Sequence, residues 1–71
     1  MTKTFKVEIG CADCAAKIEQ AIGKIDGVEK VRLNFMTQKL KLTADDARFE
    51  AILDEAQRVG TKIEREFAIA R

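Results

Sequence analysis

Phe5-Lys6-Val7-Glu8-Ile9-Gly10-Cys11-Ala12-Asp13-Cys14-Ala15-Ala16-Lys17-Ile18 passes from one periodicity to another. From Thr2 to Ile9 the side chains alternate. Phe5, Val7 and Ile9 fall on one side and Thr4, Lys6 and Glu8 on the other, which reads as a half-buried strand. Gly10 breaks the alternation and is expected to permit a tight turn. From Asp13 or Cys14 to about Ile25 the spacing becomes helical. Cys14, Ile18, Ala21, Ile22 and Ile25 share one face, while Lys17, Glu19, Gln20 and Lys24 lie mostly on the other. Both cysteines of the chain stand at this change of period, Cys11 and Cys14.

A Cys-x-x-Cys pair has three physical uses. Two thiolates at this spacing reach one soft metal ion. The same two sulfurs also close into a small-ring disulfide and serve as a redox couple. As a third reading, both are small buried apolar residues. Position favours the metal. Cys14 opens the expected helix, where free N–H groups and the positive end of the dipole stabilise a thiolate. Lys17 adds positive charge one turn on. A cysteine that only fills space gains nothing from that position. Asp13, between them, has three candidate roles: capping the helix, standing solvated in the loop, or offering a carboxylate to the ion. Capping or solvation is favoured, because a hard oxygen adds less to a soft dithiolate site.

Seventy-one residues make one domain, 1–71, near the lower limit for a single hydrophobic core. The chain is 46% apolar and 35% charged, which suits a folded domain rather than a disordered one. Thirteen basic and twelve acidic side chains leave a net charge of +1, which argues against a general nucleic-acid binder. No run approaches the roughly 20 apolar residues of a membrane span, and the alternating N-terminus does not read as a signal peptide. Direct membrane insertion is therefore not expected. A cytoplasmic location, with reduced cysteines, is the default expectation. Histidine is absent, so a metal must be held by sulfur, oxygen or a partner, and the commonest general base is missing.

Outward from the cysteines, Asp26-Gly27 reads as a turn after the helix. Val28 to Phe35 alternates again, with Val31, Leu33 and Phe35 inward and Lys30, Arg32 and Asn34 outward. Met36-Thr37-Gln38 is a short connection, and Lys39 to Thr43 gives a third strand with Leu40 and Leu42 inward, so the two runs form an antiparallel hairpin. Met36 carries a thioether able to bind copper(I) but reads as turn or edge packing. A second helix starts at Asp45 or Asp46, with acidic residues in its first turn and a buried stripe of Phe49, Ile52, Leu53, Ala56 and Val59. Gly60 is expected to terminate it. Lys62 to Ile69 is expected to form the last strand, in which Arg65 breaks the face shared by Ile63, Phe67 and Ile69. That break suggests a bulge or a solvated edge. The order strand, helix, strand, strand, helix, strand predicts an α+β, ferredoxin-like βαββαβ sandwich: a four-stranded antiparallel sheet with two helices on one face.

The chain resembles the heavy-metal-associated domain. The resemblance rests on Cys11-Ala12-Asp13-Cys14-Ala15-Ala16-Lys17-Ile18-Glu19, on Ile25-Asp26-Gly27-Val28 and on Val31 to Phe35. Such domains act as copper chaperones and as N-terminal modules of heavy-metal P-type ATPases. The resemblance implies that Cys11 and Cys14 bind one soft ion. Copper members usually place Gly-Met-Thr before the first cysteine, whereas Glu8-Ile9-Gly10 stands here. The run after Cys11, with Asn34 to Leu40, looks like the zinc/cadmium/lead-transporting branch, in which a carboxylate often joins the sulfurs. Gly10 stands where one member of that branch has Asp. The candidates for an oxygen ligand are Asp13, then Glu8 or Glu64. The implied function is binding and transfer of Zn2+, Cd2+ or Pb2+, with Cu+ as the alternative ion and a free copper(I) chaperone as the alternative role. The implied partner is a metal-transporting P-type ATPase or another thiol metal-binding domain. Zinc or cadmium wants about four ligands, so two domains sharing one ion would make a metal-bridged dimer. An enzyme is not expected. The competing catalytic reading, a dithiol–disulfide oxidoreductase, lacks the proline that a thioredoxin-type scaffold needs.

Overall fold

A computed structural model describes residues 1–70. Its elements are β1 (Thr2–Glu8), α1 (Ala12–Gly23), β2 (Val28–Asn34), β3 (Lys39–Ala44), a single 3-10 turn (Asp46–Arg48), α2 (Phe49–Ile63) and β4 (Ala68–Ala70). The four strands form one antiparallel sheet in the order β2-β3-β1-β4. Both helices cover one face, giving the expected ferredoxin-like βαββαβ sandwich.

Alternation in the strands and helical spacing in α1 and α2 converge on one core. Val7 and Ile9 meet Leu33, Leu40, Leu42 and Ala44 from the sheet, and Ala15, Ile18, Ile22, Phe49, Ile52, Leu53 and Ala56 from the helices. Ile18, Ile22, Leu40 and Leu42 are fully buried. Burying side chains of this size stabilises by about 1.5–3 kcal/mol each, and in so small a domain few can be lost. Ala15 joins the buried face of α1, whereas Cys14, Ala21 and Ile25 are only half-buried.

Hydrogen bonds from each helix reach one side of the sheet. Glu19 Oε2, on α1, accepts the Leu33 N–H of β2 at 2.8 Å. From α2, Gln57 donates to the Phe67 carbonyl at 2.9 Å and accepts the Ile69 N–H at 2.8 Å. The hairpin between β2 and β3 turns on Asn34, whose side chain accepts the N–H groups of Met36 and Thr37. Met36 does not pack: it lies in the turn with 87% of its surface exposed. Asp26-Gly27 forms the expected turn, and Gly27 adopts φ 97°, a conformation that glycine takes without strain.

The second helix begins later than expected: Asp45 caps the separate 3-10 turn by accepting the Ala47 N–H, and α2 proper starts at Phe49. Two further boundaries, at the C-terminal end, differ from the sequence-based expectation for one reason. Gly60 does not end α2, which continues to Ile63, and β4 is cut to Ala68–Ala70 instead of running from Lys62. Glu64 N–H still donates to the Gly60 carbonyl at 2.9 Å. Gly60 is there for contact. The ring of Phe67, 2% exposed, lies against its Cα, and a Cβ at position 60 would overlap that ring. Arg65 falls in the turn after α2 and is exposed, which explains why it broke the phase of a strand. Val59 is half-buried rather than core.

Gly60→Ala is expected to destabilise the fold by about 1–3 kcal/mol through overpacking against Phe67, against the roughly 1 kcal/mol gained in helix propensity. The net loss reads as a lower urea midpoint with an unchanged m-value. A variant more stable than wild type would contradict this packing role.

Candidate metal centre

β1 ends at Glu8 and α1 begins at Ala12, so three residues, Ile9, Gly10 and Cys11, connect the sheet to the helix. Cys11 is the N-cap of α1, in extended conformation (φ −142°, ψ 122°). Its Sγ accepts the Cys14 N–H at 3.3 Å and its carbonyl accepts the Ala15 N–H at 3.0 Å. A sulfur thus does what a serine or aspartate oxygen does at other N-caps. Asp13 does not cap. It sits one residue inside the helix, exposed in the first turn, where its charge suits the dipole. Both cysteines are free thiols and half-buried, and Cys14 packs against the core.

The two thiols differ electrostatically. Hydrogen bonding from the Cys14 side chain holds the Cys11 pKa below the ordinary thiol value, helped by the Cys14 N–H and opposed by partial burial. The Cys14 pKa is raised, first because its S–H serves Cys11, then by partial burial and by the charges of Cys11 and Glu64, with Lys17 working the other way. Cys11 therefore ionises before Cys14.

The loop is held from two directions that sequence reasoning had not found. Gln38, at φ 55° in the hairpin turn, accepts the Val7 N–H on its carbonyl (2.9 Å) and the Ile9 N–H on its side chain (3.0 Å). It also donates to the Phe35 carbonyl at 2.8 Å. Glu64, 54 residues on, accepts the Gly10 N–H in a long 3.5 Å contact and the Glu66 N–H at 2.9 Å. No local pattern in the sequence marks either contact. Gly10 ends the strand as expected, but without a left-handed conformation, and a Cβ there would meet nothing within 4 Å.

The fold thus brings Cys11 and Cys14 together. Among the described residues, no third Cys, Asp or Glu completes a metal-holding group with them. Asp13 is exposed beside the pair, Glu8 is exposed at the end of β1, and Glu64 alone reaches across to the loop. No helix among the described residues is long and apolar enough to cross a membrane.

Alkylation of the reduced, metal-free protein with iodoacetamide is expected to label Cys11 before Cys14. As pH is raised, site-resolved mass spectrometry should show the Cys11 rate beginning to climb at a lower pH than the Cys14 rate, because thiolate is the reacting form. Equal pH profiles would contradict the asymmetry.

The chain is 36% identical over 52 residues to "Copper chaperone CopZ" of Enterococcus hirae, covering 72% of this chain and 75% of that one. It is 41% identical over 49 residues to "Zinc/cadmium/lead-transporting P-type ATPase" of Escherichia coli, covering 65% of this chain but only 7% of the ATPase. Its structure superimposes with TM-score 0.75 on the N-terminal domain of a potential copper-translocating P-type ATPase from Bacillus subtilis in the Cu(I)-loaded state. That solved domain is 25% identical, with 96% of this chain and 81% of that one covered. The heavy-metal-associated domain family matches residues 4–63, most of the sequence, and the chain belongs to it.

Proposed function

We propose that this domain binds one soft metal ion through Cys11 and Cys14 and passes it to another thiol site. The observation that carries the reading is the pair of free, half-exposed thiols at the N-terminus of α1, with Cys11 Sγ already turned onto the first helical N–H groups. Those N–H groups and the dipole favour sulfur as thiolate. Binding through both sulfurs as thiolates releases their protons to solvent, and the ion takes their place. Transfer is ligand substitution without change of oxidation state. An incoming thiolate joins the ion, one of the two resident sulfurs leaves, and no free ion forms. Partial exposure and the low number of protein ligands keep this exchange open, whereas a structural zinc site is closed by four.

The cargo we favour is a divalent ion of the zinc, cadmium and lead group. Its support is the Cys-Ala-Asp-Cys-Ala-Ala-Lys-Ile-Glu run, together with Glu64, whose carboxylate contacts Gly10 and whose charge acts on Cys14. A carboxylate from Glu64 or Asp13, or a sulfur from a second domain, would add to the two thiolates. Copper(I) is the second reading. It is favoured by the lack of a third protein ligand beside the pair among the described residues, since two sulfurs complete a linear copper(I) shell. The recipient is a thiol site of a metal-transporting P-type ATPase or of another such domain, on the cytosolic side where thiols stay reduced.

Cys11→Ala and Cys14→Ala are each expected to lower cadmium affinity more than about a hundredfold, taking about 10–16 kcal/mol for a site of four ligands. Circular dichroism should show the fold intact. Wild-type affinity in either variant would remove these residues from the site. Glu64→Gln distinguishes the ions. Loss of about tenfold or more in zinc or cadmium affinity, with copper(I) affinity unchanged, supports the divalent reading. Unchanged affinity for every ion removes Glu64 from the ligand set.

A further inference from the structure

The outer face of the sheet, away from the helices and the cysteines, carries a charge pattern that neither the fold nor the metal reading uses. Lys6 of β1, Lys30 and Arg32 of β2, and Lys39 and Lys41 of β3 all lie exposed in the outward phase of their strands. Glu8 is the one carboxylate in that phase. The face therefore holds five cations against one anion, in a chain whose net charge is +1. The rest of the surface is net negative. Register makes the segregation costly. Lys6 stands directly opposite Lys39, and Arg32 directly opposite Lys41, and like charges facing across strands destabilise a sheet. The ion pairs found among the described residues join Met1 to Asp46, Arg48 to Asp26 and Asp45, and Arg58 to Glu55. None uses the five sheet cations.

We propose that this face docks on an anionic lipid surface. What is missing from the face selects the occupant. It holds no aromatic residue, so there is no platform for stacking bases. It also has no large apolar residue to anchor a protein partner, since the remaining outward positions are threonine, asparagine and alanine. What remains is a flat field of mostly lysine ammonium groups, each a hydrated point charge rather than a bidentate fork. Such a field suits many mobile headgroups in a plane and attracts through summed charge, at about fivefold in affinity per cation near the surface. Docking this way leaves the helix side and the Cys11–Cys14 loop free. It does not depend on which metal, if any, the cysteines bind.

The test is flotation of the reduced chain with vesicles of phosphatidylcholine alone or mixed with phosphatidylserine. Binding is expected only with phosphatidylserine, at low salt, and weaker near 0.15 M, where the Debye length is about 8 Å. Lys6→Glu with Lys41→Glu removes two cations and adds two anions, and should weaken binding more than about a hundredfold. Each substitution turns a like-charge cross-strand pair into an opposite one, so the fold is retained, and an unchanged circular dichroism spectrum checks this. Lys24→Glu with Arg58→Glu changes net charge equally on the helix side and should keep most of the binding. Equal binding to both vesicle types, equal loss in the two double variants, or tighter binding of the wild type to a single-stranded oligoribonucleotide than to the vesicles would each overturn the proposal.

Discussion

β1 is bonded on both sides, to β3 and to β4, so its C-terminal end cannot shift without breaking two ladders. Everything at the cysteines depends on that constraint. The strand delivers Ile9 into the core, Gln38 fixes the Ile9 N–H from the neighbouring hairpin, and Cys11 follows two residues later as the helix cap. On the other side, Ile18 and Ile22 anchor α1. The three connecting residues are therefore suspended between two rigid supports. The thiols owe their geometry to the backbone, with Cys14 also resting against the core.

Capping by sulfur links the fold to the chemistry. The same Cys14 N–H that begins the helix lowers the Cys11 pKa, and the Cys14 thiol adds to it. Local structure thus makes the two cysteines unequal before any ion arrives. The sulfur that ionises first is the one at the strand end, and the sulfur that ionises later is the one against the core. Glu64 adds negative charge toward Cys14 from the far end of the chain, and Lys17 offsets part of it.

Much of this was legible in the sequence, because strand alternation and helical spacing are local signals. The phase of Phe5, Val7 and Ile9, the hairpin around Met36 to Gln38, the turn at Gly27 and the pairing of the cysteines all follow from residues within a few positions of each other. The end of α2 did not, because Gly60 is constrained by the ring of Phe67 seven residues later in a turn that no local pattern announces. A glycine selected for close approach looks the same in sequence as one that stops a helix. Helix-start rules likewise pointed to Asp13, since they rank oxygen acceptors and leave cysteine out, yet the sulfur took the cap. Glu64 was among the residues considered, but its approach to Gly10 spans 54 positions and depends on the reversal after α2.

The side-chain hydrogen bonds of Glu19 and Gln57 have a consequence for colloidal behaviour. β2 and β4 are the two outer strands, and their unpaired backbone groups are the places where a stranger's strand would add. One residue from each helix occupies part of that ribbon, an acceptor on Leu33 and a mimic of a neighbouring peptide on Phe67 and Ile69. Polymerisation by strand addition must first dislodge them. A second copy of this chain therefore meets edges that are already partly occupied.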